Sequence, residues 1–322
     1  MKKIEYLGTD FEKKICEPYW KSYFDNPDKL HKACDLLKED LDAQECEKID
    51  LIIERLRRIL DGNQIIFTLP ECKTIIDMEN NFYPKIKKYS YQEREYFQWG
   101  KYKLWDENFD MSVFYYLCGM TELNNIKNIS NKDIIDAGAY IGDSSIVLAN
   151  YTKSNIHAFE AYYDNFIKIE KTCTLNGLNR VIPVNKAVSD KDDDVLKFYI
   201  RAEGETGHGL LKRDGISYNN QVDCRTITID KYVKEHNLQI GLIKSDIEGA
   251  EKALIRGAAE TICEQKPALL ISIYHTADDF FEIKRMIEDL GIGYHFKIFQ
   301  PISRKNIFLE TMLVCEVYNE NN

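Results

Sequence analysis

With 322 residues, the chain is long enough for one large domain or two modest domains, each with a buried core. Its formal net charge of -10 argues against nucleic acid as the main partner, because phosphate binding needs a basic surface. A hydrophobic content of 44% with few Gly and Pro residues excludes a largely disordered protein.

The cysteines and the N-terminus bear on the cellular compartment. None of the nine cysteines forms a C-x-x-C pair, so neither a zinc ribbon nor a thioredoxin-type motif is indicated. The charged N-terminus lacks the apolar core of a secretion signal, and the most apolar run, residues 268–274, is too short to span a bilayer. These features predict a cytoplasmic protein with reduced thiols and no membrane span.

Residues 1–110 predict a mainly helical region. Asn26 followed by proline is a helix start, and Asp42 with Glu45 three residues later is a second one. The apolar spacing that follows lasts only two heptads, so it favours a helix packed on its own domain over a coiled coil. We expect this region to be a helical cap or an arm for homo-oligomerisation.

Aromatic side chains are concentrated in residues 89–117, and we assign most of them to core and inter-domain packing. Trp99 and Tyr102, on either side of Gly100, have a second interpretation as the lining of an acceptor pocket. Sugars and other amphipathic substrates often stack on such rings.

Short β-rich runs alternate with helical patterns from residue 133 onward, which predicts a doubly wound, mostly parallel α/β sheet within a domain of residues 111–322. The predicted strands are 133–137, 155–160, 181–187, 240–246 and 267–274, and the predicted helices are 142–150, 162–175, 249–264 and 277–290. Two last runs, 294–299 and 308–317, predict an antiparallel hairpin, which a plain dinucleotide-binding sheet lacks. Two extra strand-like runs flank a polar loop at 202–218, a candidate substrate loop.

A strand, a glycine turn and a helix start follow one another at residues 133–145, as in a nucleotide-type binding site. Tyr140 stands where the G-x-G-x-x-G pattern has its second glycine, so the loop does not match a pyrophosphate-binding turn. A ligand with adenosine but no pyrophosphate fits this loop better, and S-adenosylmethionine is such a ligand. The predicted cofactor contacts in the loop are Asp136, Gly138, Ala139, Tyr140, Gly142 and Asp143.

Acidic residues at the ends of the next two strands extend the predicted cofactor site. Glu160, with Ala161 beside it, lies about 20 residues beyond the glycine turn, where a ribose-binding acid is expected. Its carboxylate can accept hydrogen bonds from both ribose hydroxyls. Ser189 and Asp190 end the third strand, where they lie either beside the adenine or in a solvated turn.

The segment 244–251, Lys-Ser-Asp-Ile-Glu-Gly-Ala-Glu, is the second strong motif. Asp246 lies at the carboxyl end of the central strand, on the edge where doubly wound sheets bind ligands, and is predicted to contact the cofactor as well. Glu251 begins a helix and is explained as a partner of the helix dipole. His275 ends the next strand, so we expect it beside Asp246.

These motifs together resemble the FkbM family of S-adenosylmethionine-dependent methyltransferases. The resemblance covers residues 133–300 and rests on Asp-Ala-Gly-Ala-Tyr-Ile-Gly-Asp at 136–143, Ala-Phe-Glu at 158–160, the block at 243–251 and Ile-Tyr-His at 273–275. It implies a class I, Rossmann-like methyltransferase sheet and O-methylation of a hydroxyl on a sugar, a glycan or a secondary metabolite. The family usually has Asn where this chain has Tyr140, and the N-terminal region carries no match.

Methyl transfer to a hydroxyl requires that the acceptor lose its proton near the methyl group. We predict that His275 and Asp246 share this task, with His275 as the base. A rival version makes the same two residues ligands of a hard divalent ion such as Mg²⁺. The predicted substrate contacts are His208, Glu248, Trp99 and Arg225.

Two other functions compete with a methyltransferase. An NAD-dependent oxidoreductase or epimerase is disfavoured by Tyr140, by the closing hairpin and by the lack of a suitably placed Tyr-x-x-x-Lys pair. A non-catalytic scaffold with the same fold is disfavoured by the intact glycines of the loop and by Glu160 and Asp246. Calorimetry with S-adenosylmethionine and with NAD separates the three.

Overall fold

The structure is a computed structural model that describes residues 4–6, 10–91, 94–201, 209–210, 212, 217–304 and 306–318. Among the described residues, its N-terminal third contains five α-helices and five strands. They are β1 (Glu5–Tyr6), α1 (Asp10–Phe24), α2 (Pro27–Lys38), α3 (Ala43–Leu60), β2 (Ile65–Ile66), α4 (Leu69–Asp77), β3 (Lys87–Tyr91), β4 (Arg94–Trp99), β5 (Tyr102–Leu104) and α5 (Met111–Phe114). Within the described residues, no helix has both the length and the apolar character needed to cross a membrane.

The predicted helix starts are confirmed at α2 and α3. Asn26 accepts a hydrogen bond from the backbone N–H of Lys29 at 3.1 Å, and Asp42 accepts one from that of Glu45 at 2.9 Å. The side chain of Glu45 does not complete a capping box at α3. It accepts instead from the backbone N–H of Ile298 at 2.6 Å, which attaches α3 to the C-terminal part of the chain.

The chain from residue 133 onward forms the predicted mixed α/β layer. Its strands are β6 (Asp133–Ala137), β7 (Ile156–Phe159), β8 (Val181–Val184), β9 (Ala187–Val188), β10 (Val195–Ile200), β11 (Asn220–Ile227), β12 (Ile240–Ser245), β13 (Ala268–Ser272), β14 (His295–Phe299) and β15 (Met312–Glu316). Its helices are α6 (Asp143–Leu148), α7 (Tyr163–Leu175), α8 (Ile229–His236), α9 (Glu251–Gly257), α10 (Ala259–Gln265) and α11 (Ala277–Glu288).

Seven of these strands form one sheet in the order β14-β15-β13-β12-β6-β7-β8. The five strands from β13 to β8 are parallel, and β15 runs antiparallel to both β13 and β14. The doubly wound, Rossmann-like sheet with an antiparallel closing hairpin is therefore confirmed. The hairpin is inserted so that its second strand, β15, lies next to β13.

Two hydrophobic cores cover the two faces of this sheet, because successive side chains of a strand point to opposite faces. Ile134 and Leu242 face one core, whereas Ile135 and Ile243 face the other. Helices α1, α2 and α3 belong to the second core. The Trp20 ring lies 5.4 Å from the Phe280 ring and packs on α11, so these helices cover the sheet. The role of these helices in oligomerisation and the domain boundary at residue 110 stay predictions.

The structure differs from the expected elements in several regions. Helix α8 was not expected, and the predicted strand 181–187 divides into β8 and β9, of which β9 belongs to a separate sheet of order β10-β11-β9. The predicted helix 249–264 is divided into α9 and α10 at Ala258, whose φ of -117° lies outside the helical range. Next to this break, Gly257 lets the backbone approach Ser189, because a Cβ atom there would lie 2.1 Å from the Ser189 carbonyl oxygen. Strands β3, β4 and β5 lie in the region predicted to be mainly helical, but they form a three-stranded antiparallel sheet, in which Gly100 makes the turn between β4 and β5 at a φ of 55°.

Candidate active site

The glycine turn after β6 is fixed against the end of β12. Gly138 has a φ of 77°, and a Cβ atom there would lie 1.8 Å from the carbonyl oxygen of Asp246. Tyr140 also adopts the left-handed region, with a φ of 47°. Gly142, at a φ of 86°, precedes α6, so the turn delivers the N-terminus of that helix to the edge of the sheet.

Asp136, which lies near the end of β6 just before this turn, holds the turn in place through its side-chain contacts. Its Oδ2 accepts hydrogen bonds from the hydroxyls of Ser144 (2.7 Å) and Ser145 (2.6 Å), and its Oδ1 lies 3.3 Å from Lys244 Nζ. Lys244 also donates to the carbonyl of Gly138 at 3.2 Å. Burial opposes the charge of Lys244, but the Asp136 and Asp246 carboxylates outweigh it and raise the pKa of the ammonium. Asp136 itself has no exposed surface, so it supports the turn and lies outside the cavity described next.

A cavity of about 780 Å³ opens at the carboxyl ends of the parallel strands. One side is lined by the glycine turn and the ends of β7, β9 and β10. This side contains Gly138, Tyr140, Asp143, Ser144, Phe159, Glu160, Ala161, Asn165, Lys186, Ala187, Val188, Phe198, Arg201 and Leu210. The other side is lined by the segment around α5 and by the ends of β12 and β13. This side contains Tyr83, Ile86, Glu107, Asn108, Phe109, Asp110, Met111, Ser112, Val113, Lys244, Asp246, Ile247, Glu248, Tyr274 and Glu310.

Two carboxyl groups of the first side are unusually hard to ionise. Burial raises the pKa of Glu160 to about 8, although the backbone N–H of Tyr162 donates to it at 2.7 Å. Burial likewise raises the pKa of Asp143 to about 7, although the backbone N–H of Ser144 donates to it at 2.9 Å. Each carboxylate would be stabilised by further hydrogen-bond donors from a ligand.

Several predicted contacts lie elsewhere in the described chain. Asp190 forms an ion pair with Arg256 at 2.7 Å, which lowers the pKa of its carboxyl, and neither it nor Ser189 lines the cavity; Ala187 and Val188 line it instead. Ala139 is fully buried in the turn, outside the cavity lining.

The predicted substrate contacts divide in the same way. Glu248 lines the cavity, whereas Arg225 is exposed on β11 and Trp99 packs against Phe82, with ring centroids 5.1 Å apart. His208 lies outside the described residues.

The ends of β12 and β13 bring one imidazole between three carboxylates. His275 Nε2 lies 3.2 Å from Asp246 Oδ1 and 3.5 Å from Glu248 Oε2, while Nδ1 lies 3.2 Å from Glu251 Oε1. Neither ring nitrogen makes a hydrogen bond of good geometry at these separations. Glu251 is held in place because its two oxygens accept from the backbone N–H groups of Ile247 (2.8 Å) and Gly249 (2.9 Å).

Of this group, Asp246 and Glu248 reach the cavity and His275 does not. The His275 side chain has no exposed surface, whereas that of Asp246 is 23% exposed. Burial opposes a charge on His275, but the surrounding carboxylates outweigh it and raise the pKa of the imidazole well above its ordinary value. Burial also opposes the charge of Asp246, but His275 and Lys244 outweigh it and lower the pKa of that carboxyl.

Tyr274 and Glu310 are cavity residues that the sequence did not indicate. The Tyr274 hydroxyl lies 3.3 Å from Asp246 Oδ1 and 3.1 Å from Glu310 Oε1, and the Ser112 hydroxyl donates to Glu310 Oε2 at 3.2 Å. Burial, followed by the nearby Asp246 and Asp110, raises the pKa of Glu310 well above its ordinary value. The order of β15 and β13 in the sheet brings these residues together, and no local sequence pattern reports it.

Comparisons with known proteins agree with this geometry. Residues 136–294 match the family model of the methyltransferase FkbM domain. The protein Methyltransferase 1 of Beauveria bassiana (strain ARSEF 2860) is 25% identical over 179 residues, which make up 50% of this chain and 72% of that protein.

A crystal structure of the methyltransferase FkbM from Methylobacillus flagellatus KT superposes with a TM-score of 0.54 at 17% sequence identity. The match covers 92% of this chain and 60% of that chain, so the present chain spans less than two thirds of its length. At this identity the likeness shows a common fold.

Proposed function

We propose, from the match of residues 136–294 to the family model of the methyltransferase FkbM domain, that the protein methylates a hydroxyl oxygen of a sugar, a glycan or a secondary metabolite, with S-adenosylmethionine as the methyl donor. The observation that carries the proposal is one cavity with Glu160 on its first side and Asp246 on the other. The first side would hold the nucleoside, and the second side offers a carboxylate to an acceptor that enters there.

The charge of the cavity fits this donor. Seven carboxyl groups line it against three cationic side chains. Burial raises the pKa of Glu160, Asp143 and Glu310, so these three carry reduced negative charge without a ligand. The sulfonium and ammonium groups of S-adenosylmethionine would favour their ionisation, whereas the pyrophosphate of NAD would oppose it. Glu160 would accept from the ribose hydroxyls, and Val188 and Phe198 offer apolar surface for the adenine.

When bound, the donor supplies the methyl group: the carbon–sulfur bond breaks with its electron pair staying on sulfur while the new oxygen–carbon bond forms. The acceptor oxygen must release its proton, and Asp246 is placed to receive it because its carboxylate lies in the cavity wall. The proton becomes strongly acidic once the oxygen–carbon bond forms, so a carboxylate of low pKa is a sufficient base.

We assign His275 the role of a positioning residue for Asp246. Its ring lies behind the Asp246 carboxylate and has no exposed surface, and its three acidic neighbours raise the pKa of the imidazole well above its ordinary value. A charged imidazole cannot take a proton from an acceptor, which argues against the expectation that His275 is the base. It orients and stabilises the carboxylate instead.

A divalent ion such as Mg²⁺ is the second version of acceptor activation. Asp246, Glu251 and His275 would hold it, because each offers a ligand atom and these atoms lie within 4.8 Å of one another. Such an ion would lower the pKa of a bound hydroxyl. The two versions differ in their response to EDTA, which abolishes activity in the second and leaves it unchanged in the first.

The proposal is tested by calorimetry and by a transfer screen. We expect the purified chain to bind S-adenosylmethionine and not NAD, and to transfer labelled methyl groups to a member of a panel of nucleotide sugars and glycans. Asp246→Asn should lose transfer by at least about a hundredfold, while donor binding, to which Asp246 is also predicted to contribute, should fall by much less. Tight binding of NAD, or no binding of S-adenosylmethionine, would overturn the proposal.

A further inference from the structure

The sheet β3-β4-β5 has one covered face and one open face. Trp99, Tyr102 and Leu104 pack on the core of the protein, and Phe97 packs beside them. Successive residues of a strand alternate between faces, so the residues between these point away from the core. The open face is a surface that the methyltransferase fold does not need for its own packing.

The open face carries three cations, two aromatic rings and one amide. These residues are Lys87, Arg94 and Lys103, then Tyr89 and Tyr96, and finally Gln98. The strand register places Tyr89 opposite Tyr96, and Gln98 opposite both Lys87 and Lys103, so they share one face. The rings of Tyr89 and Tyr96 stack with centroids 5.4 Å apart and planes at 19°, and Tyr89 is 45% exposed. The Lys103 ammonium lies 5.8 Å from the Tyr96 ring.

This face is positive in an acidic protein. Among the residues that the structure describes, it bears three cations and no carboxylate. Glu95 lies on the opposite face, where it pairs with Lys88 at 2.6 Å. The whole chain has a net charge of -10, so the charge of this patch is opposite to that of the whole chain and favours an anionic partner.

The open face is fixed beside the mouth of the cavity. Ile86, one residue before β3, lines the cavity, and so does the segment from Glu107 that follows β5. Asn176 holds β5 to the end of α7, because its Oδ1 accepts from the backbone N–H of Lys103 (2.9 Å) and its Nδ2 donates to the Lys103 carbonyl (2.7 Å). The end of the face nearest the cavity carries Lys87 and Lys103.

We propose that this face binds an acidic glycan whose terminal sugar enters the cavity as the methyl acceptor. The cations pair with carboxylate or phosphate groups of the glycan, and the tyrosine rings pack on the C–H faces of its sugars. The acceptor role rests on the proposed function, whereas glycan binding by this face can be measured without it.

A glycan fits this face better than a single-stranded nucleic acid. The two tyrosine rings stack on each other, so they do not form a row of free platforms on which successive bases could stack.

The test uses the full chain and calorimetry at low and moderate salt with four hexameric probes: an oligouronate, a phosphomannan, neutral maltohexaose and oligouridylate. We expect at least one acidic glycan to bind, severalfold more weakly at higher salt, and maltohexaose to bind at least tenfold more weakly. Replacing Lys87 and Lys103 by Ala should weaken binding at least tenfold. The matched control replaces Lys168 and Lys234, which are exposed on α7 and α8, and should leave binding unchanged.

The inference is overturned if neither acidic glycan binds, if oligouridylate binds more tightly than both, or if the control variant loses as much affinity. Binding of S-adenosylmethionine is measured in parallel. Its loss would refute the proposed function on its own, whereas absence of glycan binding with donor binding intact would refute only the role of this face.

Discussion

At the scale of single residues, Glu160 links donor binding to pH. Its carboxyl has a pKa of about 8 in the empty cavity because of burial, so it is largely protonated at neutral pH. Accepting from two ribose hydroxyls requires the ionised form, and binding therefore releases a proton. We expect the Kd of S-adenosylmethionine to fall by up to about tenfold between pH 7 and pH 9 in calorimetry.

The matched variant for this prediction is Glu160→Gln, which keeps the shape and removes the ionisation. It should bind the donor about 10–100-fold more weakly at pH 9, because hydrogen bonds to a charged group are lost. The Kd of this variant for S-adenosylmethionine should not show the fall between pH 7 and pH 9 that ionisation of Glu160 causes. An equal pH dependence in the two proteins would show that another group is responsible.

His157 is a buried residue near the amino-terminal end of β7, and it should make the free energy of unfolding depend on pH in mild acid. It is 2% exposed, its Nδ1 lies 2.9 Å from the Tyr232 hydroxyl, and burial lowers the pKa of the ring from 6.5 to about 4. As the pH falls, the unfolded chain binds this proton before the folded protein does. The contribution of His157 to the free energy of unfolding is therefore complete above pH 6.5 and is lost as the pH falls through 4. The loss amounts to about 3 kcal/mol.

Urea unfolding at pH 7.0, 5.5 and 4.5 measures this effect. His157→Gln should reduce the decline in the free energy of unfolding between pH 7.0 and pH 4.5. The same substitution at the exposed His31 should leave this decline as in the original protein. A decline of the same size in His157→Gln would contradict the assignment.

The residue scale also shows where sequence reasoning succeeds and fails. Glu160 and Asp246 were predicted at the cavity because the ends of parallel strands meet at one edge whatever the rest of the fold does. Trp99 was assigned to the acceptor pocket because a ring beside a glycine turn has no local sign of the face it occupies. The register of β4 turns it to the core.

At the scale of elements, the contact between the turn after β6 and the end of β12 joins the two sides of the cavity. Gly138→Ala would place a Cβ 1.8 Å from the Asp246 carbonyl oxygen and must push these elements apart. We expect a loss of about 3 kcal/mol in unfolding free energy beyond the strain of the left-handed backbone, together with loss of donor binding.

Gly177→Ala is the matched control for this contact. Its φ is 67°, close to that of Gly138, but a Cβ there meets nothing within 4 Å. It should cost about 1 kcal/mol from backbone strain alone and leave donor binding unchanged. Equal losses in the two variants would show that strain, and not the contact with β12, fixes glycine at position 138.

The element scale also limits prediction from sequence. The strands from 133 onward were predictable because each has an apolar run long enough to be buried on both faces. Strands β3 to β5 were not, since their aromatic residues lie on both faces and obscure the alternation that identifies a half-buried strand. The link between Tyr274 and Glu310 depends on the order of strands, which local pattern does not encode.

At the scale of the whole molecule, the N-terminal third and the methyltransferase sheet share both hydrophobic cores. Trp20 packs with Phe280 on one face of the sheet, and Phe82, Leu104 and Ile134 belong to the core of the other face. Neither part can lose its packing without exposing the other, so we expect one cooperative transition.

This prediction can be tested directly because all three tryptophans, Trp20, Trp99 and Trp105, lie in the N-terminal third. Their fluorescence reports that region, whereas far-ultraviolet circular dichroism reports the helices and strands of the whole chain. The two urea transitions should coincide. S-adenosylmethionine at about 100 times its Kd should raise the free energy of unfolding obtained from each of them by about 2.7 kcal/mol. A fluorescence transition that precedes the other, or that the donor leaves unmoved, would show that the N-terminal third unfolds on its own.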